Sequence, residues 1–432
     1  MMTGSAAVPT EPGRQAGLLP RLLPGRIPAE PAGLREHLAR HGAPPRCGPD
    51  PGGRRQLLAE VERSGLTGRG GAAFPAARKL AAVAAAGHTP VVIANGSEGE
   101  PASAKDKVLL AREPHLVLDG AVAAAEIVGA REAVVVVHPA VLAKVAHAAA
   151  ERRRSRLDRA RLRVMAAADG FVAGEATAVV RWVQRGIPTP TPTPPRVSER
   201  GLRGHPTLVQ NVETLAHLAL IARYGAAWFR QIGTNAEPGT MLVTVTGAVR
   251  HPGVFEIGIG TPVRDVLGLA GGPSVPLQAL LLGGYSGSWA DAAAAGPLPF
   301  SAEGLAPLGA GPGAGLIAAL PGGACRLAET ARLAAYLAAE SAGQCGPCVF
   351  GLAAIAGELA ALAHGRPSNL DRLARWLAQA DGRGACHHPD GAVRMIRSAL
   401  AVFSGEAELH ATGWCSATSS EAVLTAPRRG AG

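Results

Sequence analysis

An α/β fold, with a mainly parallel sheet followed by a small β-grasp-like unit and a C-terminal helical bundle, is what this sequence predicts, and three observations predict it. Alanine, valine and leucine supply most of a 47% hydrophobic fraction while aromatics make up only 3%, a balance that suits helices and parallel strands better than aromatic-rich sandwiches. From Gln56 to about Arg185, short apolar strands alternate with helical segments at βαβ spacing. Gly65 to Pro75 is a glycine-rich loop that runs straight into a helix-favouring segment ending near Ala86. Such a loop lets backbone N–H groups and a helix N-terminus meet one anion.

Composition sets the outer bounds. A chain of 432 residues holds two to four domains with sizeable cores. The formal net charge of +10 rests almost wholly on arginine, with lysine only at Lys79, Lys105, Lys107 and Lys144. Three of those four fall in the two candidate loops, as if a compact charge were wanted there. A basic balance suits an acidic protein, a membrane surface or nucleic acid, but no aromatic-and-basic stripe supports nucleic acid. The run Glu151 to Arg163 reads as the solvated end of a helix. No apolar stretch reaches spanning length without a charge or proline, and prolines from Pro9 to Pro28 fall where a signal peptide needs its apolar run. The expectation is a cytoplasmic chain, peripheral to a membrane only through partners. Six cysteines are too few for a disulfide framework of this size.

In chain order, residues 1–54 read as an extended arm that wraps, with one short helix around Leu34 to Arg40. An α/β domain over 55–236 follows: a helix from Gln56 to Ser64, the glycine loop and its helix, and a strand Val91 to Ala94. The polar loop Asn95 to Pro101 and a helix His115 to Val128 come next. A strand Ala133 to Val137, a helix Pro139 to Arg153 and a strand Leu162 to Met165 precede Gly174-Glu175, which opens another helix. The proline run Thr189 to Pro195 reads as an extended spacer lying over a surface. After a helix from Asn211 to about Ile232, residues 237–322 give strand, turn, strand, helix and strand, the β-grasp-like unit. Residues 323–407 form a helical bundle carrying Cys345, Cys348 and Cys386, and 408–432 read as a disordered tail.

With these elements laid out, the chain resembles the flavin- and NADH-binding F subunit of bacterial respiratory complex I and its relatives in soluble hydrogenases and formate dehydrogenases. The resemblance spans roughly Gln56 to Phe403. It rests on Gly68-Arg69-Gly70-Gly71-Ala72-Ala73-Phe74-Pro75, on Asn95 to Pro101 with Lys105-Asp106, on Gly174-Glu175 with Thr177-Ala178, and on Gly204-His205-Pro206-Thr207 with Asn211 to Leu215. Gly247-Ala248-Val249, Pro252-Gly253-Val254 and Glu340-Ser341 to Pro347-Cys348 complete it. It implies a Rossmann-like FMN-binding domain, a soluble-ligand-binding β-grasp domain and an iron–sulfur cluster in the bundle. Gly68, Arg69, Gly70, Gly71, Ala72 and Lys79 would hold the FMN phosphate, and Asn95, Glu98, Gly174, Glu175 and Asn211 the isoalloxazine edge. Phe74 would stack on NADH, and Glu100 would lie beside the nucleotide. No residue is assigned a catalytic role.

Departures from the family pattern are specific. Ala176 stands in place of the second acid of an acidic pair, Ser97 in place of Asp, and Gln210 in place of Asn. Ala82 and Arg196 replace two aromatic rings that sandwich adenine, and Thr193 replaces a lysine. Such losses weaken NADH more than FMN. Cys345, Cys348 and Cys386 match three of the four cluster ligands, whereas Ala342 takes the place of the first. A three-cysteine set implies a [4Fe-4S] cluster with a foreign fourth ligand, His387 or His388 among the candidates, or a [3Fe-4S] form. A zinc tetrahedron from the same cysteines with His387 or His388 is the alternative chemistry. Cys325 reads as core packing, and Cys47 and Cys415 as parts of mobile arms.

The reading is therefore a flavoprotein electron-transfer subunit, NADH dehydrogenase-like, whose partner is a ferredoxin-like or other redox protein or a membrane ferric-reductase-like protein. The competing reading is a non-catalytic scaffold that kept the fold and lost its cofactors.

Overall fold

The computed structural model describes residues 19–23, 32–44, 47 and 51–427. Its first sheet consists of β1 (Val91–Gly96), β2 (Glu132–Val137), β3 (Arg161–Ala166) and β4 (Thr207–Asn211), in the order β3-β2-β1-β4 and parallel throughout. The three strands legible in the sequence lie as expected. β4 is an addition, formed by residues that the sequence shows only as the approach to a helix. Strand order reverses at the β1/β4 boundary, and there Asn95 pairs in register with Asn211. In open parallel sheets the crevice beyond the strand C-termini at that boundary is where ligands bind.

Alternating side chains of this sheet feed two cores. Val92, Ala94, Val135 and Val137 meet the helices Pro114–Val128 and Val212–Phe229, while Ile93, Val134, Val136 and Val209 meet Val179, Val180 and Leu202. The two helices on the first face approach so closely that a Cβ at Gly120 would stand 1.8 Å from the Leu215 carbonyl oxygen. Under them, Asp119 is enclosed by His37 and Arg152, each at 2.7 Å, and by Arg223. The His37 contact, with Arg223 Nε donating to His41 O at 3.1 Å, binds the short helix Leu34–His41 of the arm to the domain. Another part of the arm is held by Glu256, whose Oε2 accepts from the N–H groups of Arg21, Leu22 and Leu23 at 2.8–3.2 Å.

The second sheet joins β5 (Thr240–Gly247), β6 (Gly253–Gly258), β7 (Leu277–Leu282), β8 (Ser288–Asp291) and β9 (Leu316–Pro321) in the order β6-β5-β9-β7-β8. β5 and β9 run parallel and the other pairs antiparallel, with the helix Val263–Leu269 between β6 and β7. Leu280, Leu282, Ile317 and Ala319 pack on that unit's own core. Their strand neighbours Ala279, Leu281, Leu316, Ala318 and Leu320 pack instead on Leu327, Leu337, Ile355 and Ile396 of the bundle. The period of two therefore makes the β-grasp sheet one wall of the bundle's core.

The bundle runs Arg326–Ala339, Ala353–Ala363, Leu370–Ala380, His388–Val402 and Ser404–Ala411. A π-helical turn, Pro347–Leu352, opens the second of these and carries Cys348. Two boundary expectations change. The helix expected from Gln56 starts at Pro51, inside the expected arm, because proline fits a first helical turn. The tail is not loose: it is helical to Ala411 and packs through residue 427, with Leu424 only 4% exposed and its neighbour Val423 donating to Glu329 Oε1 at 2.7 Å. Residues 428–432 of that expected tail lie outside the described residues. None of the described helices is long and apolar enough to cross a membrane.

Close helix packing at Gly120 predicts that Gly120→Ala lowers unfolding free energy by about 1–3 kcal/mol through overpacking. Gly357→Ala, at an exposed helical position with open space around it, should be neutral or gain up to about 1 kcal/mol. Urea unfolding of the two variants checks this; equal stabilities would refute the close-packing account.

Candidate functional site

Four loops converge beyond the C-terminal ends of β1, β3 and β4. The first is the glycine loop, pinched at its base by Gly68 N–H to Phe74 O and Ala76 N–H to Leu66 O, both at 2.9 Å. Its tip, Gly70 to Pro75, is exposed, with Gly71 and Ala73 at positive φ of 104° and 48°. The helix Ala76–Ala84 starts immediately behind it with Pro75 as N-cap, one position earlier than the first-turn site expected, and no side chain caps its first N–H groups. Uncapped donors at a helix start suit an anion.

Lys79 lies under this loop, its Nζ donating to Val209 O at 2.8 Å. Burial lowers its pKa, Glu175 offsets this in part, and no described carboxylate forms an ion pair with it. A half-buried ammonium without a counter-ion is what a phosphate would complete. Gly70 abuts Asn211, where a Cβ would sit 3.3 Å from the Asn211 Cβ. Gly174 lies against Ser97 and the Gly99 N–H, and a Cβ at Gly99 would meet Phe171 O at 2.6 Å. Asn95 ties these segments, donating Nδ2–H to Gly174 O at 2.9 Å and accepting from Ser97. Gly68, Gly70, Gly71, Ala72, Lys79, Asn95, Gly174 and Asn211 are thus gathered around one crevice with backbone donors and a cation, although the Asn211 amide is itself engaged, donating to Asp106 Oδ2 at 2.7 Å and accepting from Glu213 N–H at 3.0 Å. That donor set fits the phosphate and the polar ring edge of FMN.

Three expected contacts are corrected. Arg69 is buried and turned inward, its guanidinium donating to Thr67 Oγ1 (2.7 Å), Thr240 O (3.2 Å) and Pro238 O (3.3 Å). Its donors are consumed by carbonyls and a hydroxyl, so it anchors the loop to β5 rather than facing the cradle. Glu98 caps the helix Lys105–Arg112 from a distance, accepting from Asp106 N–H at 3.0 Å, Lys107 N–H at 2.9 Å and Ser103 Oγ at 2.7 Å. Glu175 caps the helix Ala176–Arg185 through Thr177 and Ala178. Phe74 is 50% exposed at the loop tip, and Ala82, Thr193 and Arg196 are exposed as well. The lysine concentration is also mostly internal: Lys105 pairs with Asp106 and Glu213 at 2.7 Å, and Lys107 with Glu98 at 3.0 Å.

Glu100 joins the flavin-side loops to the β-grasp unit. Its Oε2 accepts from Tyr285 N–H at 2.8 Å, and Gly284 has no Cβ because one would lie 2.7 Å from that oxygen. The other oxygen, Oε1, is buried without a partner. Burial pushes this carboxyl up to about 7, against the hydrogen bonds from Tyr285 and Ala102. The loop before β9 also borders the mouth, since a Cβ at Gly71 would be 3.7 Å from the Gly313 carbonyl carbon.

A single turn of helix, Phe171–Gly174, leads from this crevice to the cysteines. Phe171 N–H donates to Glu340 Oε2 at 2.8 Å, and its ring lies 5.5 Å from that of His388. Cys345, Cys348 and Cys386 face one another: burial pushes the Cys348 thiol up to about 12, and Cys345 and Cys386 push it further the same way. The Cys386 thiol is raised by burial and also feels Glu175. Among the described residues, no three of Cys345, Cys348, Cys386, His387 and His388 place ligand atoms within 4.8 Å of one another, a wider spread than a zinc tetrahedron has. The two histidines differ, one facing solvent and one buried in the bundle. His387 is fully exposed beside Asp390, and His388 Nε2 bonds Leu337 O at 2.8 Å. Ala342 offers no ligand.

Two other cysteine expectations fail. Cys47 is buried at 6% exposure, its N–H held by Glu126 at 2.8 Å. Cys325 and Cys415, 90 residues apart in sequence, lie together with Glu406 and His410. Nothing in their spacing signals this; the i,i+4 pair Glu406/His410 on one helix was the only local hint.

Fold and crevice define a three-part chain: a flavin-type parallel sheet, a β-grasp sheet and a thiol-bearing bundle. Family comparison gives the same parts: the Nuo51 FMN-binding domain matches residues 61–220, the SLBB domain residues 242–284, and the NADH-ubiquinone oxidoreductase-F iron–sulfur binding region residues 328–410. The F subunit of the NADH-quinone oxidoreductase of Streptomyces coelicolor is 31% identical over 376 residues, covering 83% of each chain. The second of two such F subunits in Rhizobium meliloti is 29% identical, covering 82% of this chain and 88% of its own. A chain of an NAD+-reducing [NiFe]-hydrogenase in the air-oxidized state superposes with a TM-score of 0.77 at 32% identity over 83% of this chain, which spans 63% of that hydrogenase chain's length. The protein belongs to the family of NADH-quinone oxidoreductase F subunits, with its FMN-binding domain and its iron–sulfur binding region both present.

Because the Glu100 carboxyl sits near 7 folded against an ordinary 4.5, the stability its protonated form contributes is full below about 4.5 and is lost as pH rises through 7. Glu100→Gln should therefore gain on the parent by up to about 3 kcal/mol between roughly pH 5 and 8. Urea unfolding across that range reads it, and a pH-independent difference would contradict the buried-carboxyl assignment.

Proposed function

We propose that this chain is a flavoprotein electron-transfer subunit that holds FMN in the crevice at the β1/β4 boundary and an iron–sulfur cluster on Cys345, Cys348 and Cys386. The observation that carries the reading is the short bridge Phe171–Gly174, which has the crevice at one end and, through Glu340 and His388, the cysteine loops at the other. When bound, FMN supplies exchange between two-electron and one-electron chemistry. The chain's own residues do the holding. Gly70, Gly71 and Ala72 with the start of Ala76–Ala84 take the phosphate, Lys79 neutralises it, and Asn95, Gly174 and Asn211 fix the ring edge.

NADH is the weaker ligand in this reading, because Phe74 stands without the two further rings and Thr193 offers no ammonium. Loss of nucleotide contacts with retention of the flavin crevice supports a protein electron partner, and the net charge of +10 favours an acidic one, ferredoxin-like, met by steered encounter. A membrane ferric-reductase-like protein fits the same logic, with this chain on the cytoplasmic side.

Protein reconstituted anaerobically with FMN, iron and sulfide should bind reducible flavin and carry a cluster. Lys79→Ala should weaken flavin roughly 10–100-fold, the worth of one charge-assisted hydrogen bond, read by fluorescence titration. Protein that takes up neither flavin nor iron would return the chain to the scaffold reading. With Ala342 at the first ligand position, Ala342→Cys should raise iron per chain and convert a labile or three-iron EPR signature to that of a stable [4Fe-4S] cluster. Unchanged iron and an unchanged spectrum would rule out cluster assembly at these cysteines.

A further inference from the structure

Among the described residues two further groups of ligand-type side chains come together; in one, His37, His41 and Glu113, the first is already held by Asp119 and the last by Arg40, and the other is built as a site. Cys325 follows β9 and is the N-cap of Arg326–Ala339, its Sγ accepting from Ala328 N–H at 3.3 Å. Glu406 and His410, one turn apart on Ser404–Ala411, are each 4% exposed and face it. The chain leaving that helix brings Cys415 back onto the same spot, its thiol beside both Cys325 and Glu406. Cys325 Sγ stands 3.4 Å from His410 Nε2, which stands 3.2 Å from Glu406 Oε1. All four ligand atoms lie within 4.8 Å of one another.

These spacings have a chemical meaning. With metal–sulfur bonds of about 2.3 Å and metal–nitrogen or metal–oxygen bonds of about 2.0–2.2 Å, neighbouring ligands on a tetrahedron stand about 3.3–3.8 Å apart. We propose that Cys325, Glu406, His410 and Cys415 bind one Zn2+ ion. Thiolate and imidazole donors in a tetrahedral set select zinc among common divalent metals. Binding releases one proton from each thiol to water, and the Ala328 N–H stays on the Cys325 sulfur. Glu406 is oriented by Ser416, whose N–H reaches Oε1 at 3.0 Å and whose hydroxyl reaches Oε2. Cys415, at the exposed edge, leaves a way in for the ion.

The consequence is structural control of the tail. Beyond Cys415, the N–H groups of Thr418 and Ser419 bond Gly323 O at 3.0 Å, and Thr425 O accepts from the hydroxyl of Tyr285. Tyr285 is the residue whose N–H holds Glu100 at the crevice. The ion closes a loop between the end of the β-grasp sheet and the chain's last described segment. It thereby fastens that segment beside the flavin-side loops.

The test uses full-length protein, reconstituted with FMN, iron and sulfide and then given Zn2+. Mass-spectrometric metal analysis should find one zinc per chain, and zinc-edge X-ray absorption should find two sulfur ligands at about 2.3 Å with two lighter ones. Zinc misplaced at Cys345, Cys348 and Cys386 would instead show three sulfurs, a distinction that needs no variant. Cys415→Ser should weaken zinc roughly 10²–10³-fold and speed proteolysis after Trp414, and Cys415→His should restore both. A Cys345→Ser/Cys348→Ser/Cys386→Ser variant should lose iron and keep zinc. The proposal is overturned by a three-sulfur or all-oxygen zinc shell, by zinc retained at full affinity in Cys415→Ser, or by a Cys325–Cys415 disulfide in the zinc-supplied protein.

Discussion

The Lys105 ammonium, enclosed between Asp106 and Glu213, is the contact that ties the parts of this molecule together. Lys105 and Glu213 are each almost wholly buried, and each end of the pair reaches a different part of the molecule. Asp106 holds Asn211 through its Oδ2 at 2.7 Å, and Glu213 accepts from Leu242 N–H of β5 at 2.8 Å. Burial pushes Asp106 up to about 6, with Lys105 opposing that rise and Glu98 and Glu213 adding to it. Arg69, the second buried cation, feels Glu213 as its leading counter-charge while its donors bind Pro238 and Thr240. One charge network therefore fixes the glycine loop, the β4 edge and the start of the β-grasp sheet together. Removing one member of such a network leaves an uncompensated buried charge, at a cost of about 3–5 kcal/mol.

Around that network, close approach matters as much as charge. Gly99, Gly120 and Gly284 each sit where a Cβ would overlap a neighbouring atom, so the helices and loops approach to backbone distance. The β-grasp sheet offers one face to its own core and the other to the bundle. The cysteine loops are accordingly positioned by the same packing that positions Tyr285 against Glu100.

Charged side chains at the crevice divide into two kinds. Glu98, Glu175, Arg69, Lys105 and Lys107 are spent on caps, carbonyls and ion pairs that shape loops. Lys79 and Glu100 keep unmet capacity: the first lacks a described counter-ion and the second has an unpartnered oxygen. Unmet polar capacity in a buried place costs free energy unless a ligand completes it.

The α/β class, the three strands read at Val91 to Ala94, Ala133 to Val137 and Leu162 to Met165, the glycine loop, the β-grasp unit and the bundle with its three cluster-type cysteines are all legible in the amino-acid order. These rest on local periodicity and on motifs whose chemistry is short-range. β4 is not legible there, because Thr207 to Asn211 becomes a strand only by pairing with β1. Nor does the order of residues tell a ligand-facing charge from a capping one: Arg69 and Glu98 have the residue types that phosphates and flavins want, but long-range partners at Thr240 and Pro238 claim the first, and the helix start at Asp106 and Lys107 claims the second. The meeting of Cys325 with Cys415 and the packing of the tail through residue 427 likewise exist only in the folded chain. Side-chain direction and contacts between residues far apart in sequence are set by packing, and spacing along the chain does not encode them.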